Sequence, residues 1–510
     1  MQNFGRLFVT KIYKLAIGIR NNTLFIIDYI KFNKFINKNK IHQKCQKVDS
    51  EIICITVIPW LGTSVPWYAI TMALMLERKG KNVFILFVDM PFGDEGMFHR
   101  LQSYLILKIL NKIPIKITKL SNYNDSEYCK DEITRLSKLN SLHYAHGETN
   151  YALRKSYEFI VEKQLKSISA KLVSFFEKEN LRQIILPGGI WGPSSVISLL
   201  AEKNNVQLTT YDSGENELIM SISGIAATLS DIPYSFEQLL NNPEDKSFSI
   251  QKGQEQLQKR KQGEDLSSFA GSHLIKPTTN LKFGDQYYLI LLNSVWDTAA
   301  LGIHTVYGSM IEWIFDSIEW ILNNTDSLII IRQHPAERVK EIDNTDVYKE
   351  KINIRFSNNK RIIFIDAAED INTYNLIEKS LCVLGFSSTI VVESVALGKP
   401  AIIVSSAYYS EFDIVYSATD KKEYYMYLKQ ALEHNLVITP EMRDRAYICN
   451  YITQSCNYYL TKFTPIRNNY IKWSKLTIDE LEKDYLPLKA ILKNKPISLL
   501  QHERTLNDLK

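Results

Sequence analysis

Leu328-Ile329-Ile330-Ile331-Arg332-Gln333-His334-Pro335-Ala336-Glu337, followed further on by Leu381-Cys382-Val383-Leu384-Gly385-Phe386-Ser387-Ser388-Thr389, decides how this chain folds. Each segment is an apolar run short enough for a buried strand, and each ends in polar residues. The second continues into a helix-like Ile390–Leu397, then Gly398-Lys399-Pro400 and a further apolar run, Ala401–Val404. Strand, helix and strand in that order make a parallel α/β unit. Ligands of open parallel sheets bind beyond the carboxyl ends of the strands. Ser387, Ser388 and Thr389 sit where the next helix begins, so their hydroxyls and free backbone N–H groups can hold an anion.

His334 leaves its strand directly, and Pro335 restricts the backbone beside it. An imidazole held there can donate to a phosphate oxygen, with Arg332 and Arg338 adding positive field. A histidine satisfied by backbone at a capped strand end is the alternative. Glu393 lies one helical turn beyond Thr389 and faces the same side. A carboxylate there can accept two ribose hydroxyls, unless it is a solvent-facing helix acid.

Working outward, a strand-like Tyr287–Leu292 precedes this stretch and ends in Asn293-Ser294-Val295-Trp296-Asp297-Thr298. Asn293, Trp296 and Asp297 are candidate contacts to a base or sugar, against a tryptophan that belongs to the core. Ser309–Leu322 has helical periodicity, with Ile311, Ile314, Phe315, Ile318 and Leu322 on one face. Earlier still, Glu51–Ile58, a loop containing Gly62, the helix-like Tyr68–Arg78 and the β-like Asn82–Val88 open a second doubly wound sheet. Residues 99–180 read as mostly helical. Gln183–Leu186 returns to strand before Gly188-Gly189, and Gln207–Tyr211 is the next, ending in Asp212-Ser213-Gly214-Glu215. A carboxylate at that strand end, Asp212 or Glu215, can take a proton from an attacking hydroxyl, although turn chemistry alone also accounts for Asp-Ser-Gly.

The domains expected are therefore a basic arm at 1–48, an N-terminal Rossmann-like domain at 49–240, a polar linker at 241–282, a C-terminal Rossmann-like domain at 283–420 and a helical segment at 421–510. With 510 residues, 45% hydrophobic and 23% charged, a globular protein of at least two domains is expected. Six scattered cysteines offer neither a C-x-x-C pair nor zinc spacing, so reduced thiols in a cytoplasmic protein are expected. Residues 1–50 hold ten Lys/Arg and two Asp, so the rest of this +5 chain is slightly acidic. That argues against nucleic acid as a partner. A basic arm rich in Phe and Ile suits either an anionic membrane surface on the inner face of the plasma membrane or a helix packed on its own domain. No P-loop, dinucleotide fingerprint, nucleophile elbow, zincin motif or Asp-x-Asp pair occurs, so no metal site and no bound cofactor are expected.

Ile331–Glu337, Asn293–Asp297, Gly385–Thr389, Glu393 and Gly398-Lys399-Pro400 together resemble the bacterial capsule polysaccharide biosynthesis proteins. These are GT-B-fold glycosyltransferases related in plan to the CMP-sugar-using Kdo and sialic acid transferases. The resemblance is strongest over about residues 285–405 and looser over 51–220. It implies two Rossmann-like domains facing a central cleft, a nucleotide-sugar donor as substrate rather than cofactor, and a glycan or lipid-linked glycan acceptor. In such enzymes the His-Pro and Ser/Thr elements bind the donor phosphate, roles that fall here to His334 and to Ser387, Ser388 and Thr389. Asp212-Ser213-Gly214-Glu215 departs from the family's Glu-x-Gly form, so Asp212 and Glu215 both remain candidates for the base. Glycerol- or ribitol-phosphate transferases, a non-catalytic scaffold and, more weakly, a sugar-nucleotide epimerase share enough of this plan to stand as alternatives.

Overall fold

The computed structural model describes residues 2–39, 51–60, 63–93, 96–214, 217–264, 284, 286–294, 306–338, 347–357, 359–461, 463–465 and 477–508. The chain divides into two compact units. The first comprises Met1–Leu136, Ile160–Ala227 and Tyr458–Lys510, and the second Ser137–Phe159 and Thr228–Asn457.

The chain begins with α1 (Gln2–Lys38), β1 (Ile52–Val57), α2 (Val65–Arg78), β2 (Asn82–Phe87), α3 (Gly96–Leu110) and β3 (Lys116–Lys119). It continues through α4 (Lys130–Ala145), α5 (Tyr151–Lys178), β4 (Leu181–Pro187), α6 (Gly192–Lys203), β5 (Gln207–Gly214) and β6 (Glu217–Ser221). Then come α7 (Ile232–Asn241), α8 (Pro243–Lys261), β7 (Tyr287–Leu291), α9 (Met310–Asn324), β8 (Ile329–Arg332), α10 (Tyr348–Arg355) and β9 (Ile362–Ile365). The second unit is completed by α11 (Thr373–Lys379), β10 (Ser380–Gly385), α12 (Ile390–Ala396), β11 (Ala401–Ile403), β12 (Tyr416–Ser417), α13 (Lys421–Leu432) and α14 (Pro440–Tyr451). The chain then returns to the first unit with β13 (Tyr459–Leu460), α15 (Ile478–Glu482), α16 (Leu486–Lys493) and α17 (Ile497–Asn507).

Strands of the second unit lie in the order β12-β11-β10-β7-β8-β9, every pair parallel. This is the doubly wound order, with its topological switch between β7 and β10. Gly385 of β10 stands beside Leu291 of β7, which stands beside Arg332 of β8. The residues that follow each strand therefore leave the sheet at one edge. The first unit's order is β13-β6-β5-β4-β1-β2-β3. Its five strands from β3 to β5 are parallel, with the switch between β1 and β4, while β6 and β13 are antiparallel additions. The α/β class, the two Rossmann-like units and the C-terminal helices expected are all present.

Several expected boundaries change. The polar stretch read as a linker at 241–282 is helical through Lys261, because Asn242 caps α8 by accepting from the Glu244 and Asp245 N–H groups and Pro243 opens it. Residues 265–283 lie outside the described residues. The helical segment at 421–510 is divided, its first part completing the second unit and its last part the first. Strand β3 interrupts a region expected to be helical. On α9 the buried face is Met310, Trp313, Ile314, Ser317, Ile318 and Ile321, one position round from the predicted stripe, because Trp313 donates its indole N–H to the Tyr424 hydroxyl at 3.1 Å. Finally, α1 is no frayed arm. Phe25, Phe32, Phe35 and Ile36 are buried in the core of the first unit with Trp67, so the packed-helix alternative describes its inner face.

Candidate functional site

In the second unit, the edge beyond β7, β8 and β10 gathers most of the predicted residues. Asn293 follows β7, is buried, and accepts at Oδ1 from the Ser387 N–H, 3.3 Å away. That bond ties the two strand ends across the switch point. The chain can turn so sharply into α12 because Gly385 has no Cβ, which would collide with the Val391 side chain. Ser387 Oγ is buried with no hydrogen-bond partner among the described residues. A buried hydroxyl left unmet costs about 1–3 kcal/mol, so it is poised for a partner that arrives from outside. Ser388 and Thr389 are half-buried. Their carbonyls accept from the Val391 and Val392 N–H groups at 3.3 and 3.0 Å, and Tyr409 donates its hydroxyl to the Ser388 carbonyl at 2.8 Å.

His334 emerges beyond β8, two strands from β10, and strand spacing places the two tips roughly 10 Å apart. It is half-buried, and its carbonyl accepts from the Glu337 N–H at 3.0 Å where Pro335 begins a 3-10 turn. Burial first, and then the Arg332 guanidinium, lowers its pKa to about 4. The ring is therefore neutral at pH 7 and can donate one N–H. Because the depressed value favours the neutral form, the fold is more stable above the unfolded value of 6.5 and loses that stability as pH falls toward 4.

Arg332 and Glu393 occupy different places from those expected. The Arg332 side chain is buried and donates to the carbonyls of Asp366, of Glu369 at 3.2 Å and of Ile371 at 3.3 Å. It clamps the β9–α11 loop. The ribose contact expected of Glu393 is corrected: this side chain is 1% exposed and both its oxygens are engaged. Tyr374 donates to Oε2 at 2.5 Å, and Arg260 Nε lies 3.4 Å from Oε1. Arg260 also donates to the Tyr374 hydroxyl at 3.2 Å and to Gln454 Oε1 at 2.6 Å. Sequence reasoning missed Arg260 and Tyr374. The stripe Ser249, Gly253, Leu257 and Arg260, all buried on α8, is the one signal that could have found the first. Trp296 and Asp297 lie outside the described residues.

In the first unit, Gly188 and Gly189 follow β4 with φ of +66° and +101°, and the Gly188 N–H donates to the Tyr211 carbonyl at 2.9 Å. Only glycine takes that backbone easily. Asp212 does not follow the strand as expected: β5 runs on through it, and it lies opposite Ile219 of the returning β6. Its carboxylate is exposed and accepts from the Ser213 N–H at 2.8 Å. That bond favours the ionised form. Glu215 lies outside the described residues.

Residues 269–433, the stretch that includes His334 and Ser387–Thr389, match the family model of the capsule polysaccharide biosynthesis protein. No curated protein matches the chain. Among solved structures, the chain is similar to the β-Kdo 2,4-transferase KpsC of Thermosulfurimonas dismutans, with 16% identity over 53% of this chain and 80% of that one and a TM-score of 0.35. It is similar to the β-Kdo 2,7-transferase KpsC of the same organism at 11% identity, over 55% of this chain and 79% of that one, with a TM-score of 0.32. It is similar also to the UDP-GlcNAc 2-epimerase of Methanocaldococcus jannaschii at 14% identity, over 77% of this chain and 98% of that one, with a TM-score of 0.26.

Proposed function

We propose that this protein is a glycosyltransferase that moves a sugar from a nucleotide-sugar donor, a CMP-sugar being favoured, to a growing capsular or other surface polysaccharide. The observation that carries the reading is the Ser387 hydroxyl, without a partner among the described residues, beside the Asn293–Ser387 bond at the switch point. Donor phosphate oxygens would take up that hydroxyl, those of Ser388 and Thr389, and the neutral imidazole of His334, which Pro335 holds in place. Arg332 acts at one remove, by fixing the neighbouring loop. Trp296 and Asp297 are assigned to the base or sugar.

The acceptor hydroxyl attacks the anomeric carbon and gives its proton to Asp212 or Glu215. A new C–O bond forms, the bond from the anomeric carbon to the phosphate oxygen breaks, and the nucleotide leaves with the electron pair. Donors already aimed at that phosphate stabilise the developing charge, and no metal is required in this scheme.

Incubation with CMP-, UDP- and GDP-sugars, followed by mass analysis of the product, tests the assignment. The expected gain is one sugar residue without phosphorus, from the CMP-sugar. A phosphorus-containing increment would assign the chain to glycerol- or ribitol-phosphate transfer, and turnover without any acceptor product would replace transfer by epimerisation.

A further inference from the structure

Helix α1 has two faces that packing treats in opposite ways. Its inner face is locked into the first unit: the Phe25 ring stacks on Trp67 and the Phe32 ring packs tilted against it, each with centroids 5.1 Å apart. Lys112 donates to Asn33 at 2.6 Å, and the Ile478 N–H donates to Asn39 at 3.0 Å. The outer face leaves Ile19, Ile26, Ile27 and Ile30 between 38% and 55% exposed. Positions 19, 26, 27 and 30 fall on one side of a helix. Between and beyond them stand the exposed Arg20, Lys31, Lys34 and Lys38. Within α1 itself no exposed acid offsets them, since the one acidic residue among positions 2–48 is Asp28, and it is buried; Lys38, at the end of the helix, has Glu480 of α15 near it.

An ordinary solvated face mixes both signs of charge and carries few aliphatics. This one combines β-branched aliphatics with Arg20, Lys31 and Lys34 and no exposed acid of its own helix. The neighbouring α3, joined to α1 by a 3.4 Å bond from Gln102 to Asn22, adds exposed Leu101 and Tyr104, with Lys108 4.6 Å over the Tyr104 ring. A protein partner would need an acidic groove shaped to a long convex ridge, and 37 helical residues make a ridge of about 55 Å. A bilayer with anionic headgroups accepts such a ridge lengthwise, without a matching groove. No helix among the described residues is long and apolar enough to cross a membrane.

We propose that the outer face of α1, with the exposed edge of α3, docks the first unit in the plane of an anionic lipid surface. The isoleucines enter the headgroup boundary and the lysines and Arg20 meet the lipid charge. Because the inner face is core, the helix does not detach to bind: the folded unit docks as it stands.

The test uses the full chain and vesicles of phosphatidylcholine, with or without an equal part of phosphatidylglycerol. Binding should require the anionic lipid and weaken with salt, as the Debye length shortens from about 10 Å at 0.1 M. Lys31→Glu with Lys34→Glu should lower partitioning at least fivefold per lysine, the fold-change equivalent to about 1 kcal/mol. Ile26→Ser, Ile27→Ser and Ile30→Ser together should abolish the binding that survives high salt. Both sets should keep the wild-type melting temperature, molecular mass and nucleotide affinity, because every altered side chain is exposed and outside the candidate donor site. Failure of the wild type to bind anionic vesicles would overturn the assignment, as would variants that bind like wild type. Wild-type self-association abolished by these variants would instead give the face to a second copy of the chain.

Discussion

In the second unit six parallel strands bring their carboxyl ends to one edge, whereas in the first the sheet runs on past β5 into an antiparallel hairpin. On the parallel edge each loop after a strand faces the same region, so Asn293 and Ser387 meet although 94 positions separate them. On the antiparallel extension, Asp212 sits inside a paired strand, and its direction follows from alternation across β5. A ligand edge built from parallel strands can be recognised from loop chemistry alone; one that ends in a hairpin cannot.

The sharpest way to break this comparison is Asp212→Asn. If the hairpin supplies the base, turnover should fall about 10²–10⁴-fold while nucleotide affinity, a property of the other edge, is unchanged in calorimetric titration. A variant that turns over normally would pass the role to Glu215.

Next in size is Glu393→Gln, which separates packing from recognition within the parallel edge. Removing one partner of a buried ion pair should cost about 3–5 kcal/mol of unfolding free energy, read by chemical denaturation. The preference for ribose over deoxyribose nucleotides should stay as it is. Loss of that preference in a stably folded variant would restore the ribose contact.

The smallest effect sharpens the comparison most. Ser387→Ala should weaken CMP binding by about 1–3 kcal/mol without lowering the stability of the free protein, because the hydroxyl it removes has no partner among the described residues. A hydroxyl with a structural role would behave the other way round.

Ser387 and Glu393 lie six positions apart in one motif, and they mark where legibility in sequence stops. Apolar runs of strand length, each followed by a polar tip, carry the order of the second unit, the placement of His334 and the Ser387–Thr389 cluster. Those features depend on local periodicity and on the general rule for parallel sheets. Glu393 looked equally accessible, since helical spacing places it beside Thr389. Which face of α12 is covered, however, depends on Arg260 and Tyr374, from elements 133 and 19 positions away in the chain. Arg332 is similar: a basic residue at a strand tip reads as a ligand contact until three carbonyls of a distant loop occupy it.

From its residues alone the chain determined an α/β class, two sheets, the switch-point loops and a basic helix with apolar partners, because such properties come from nearest-neighbour pattern and composition. Tertiary structure alone decided that α8 is part of the second unit rather than a linker, that the last helices return to the first, and that Asp212 lies in a hairpin. It also decided which side of α1 is core and which is left outside. The physical reason is the same in each case. Burial is a property of what packs against a residue, and for Glu393, Arg260 and Phe25 the covering groups come from segments that local sequence pattern cannot pair.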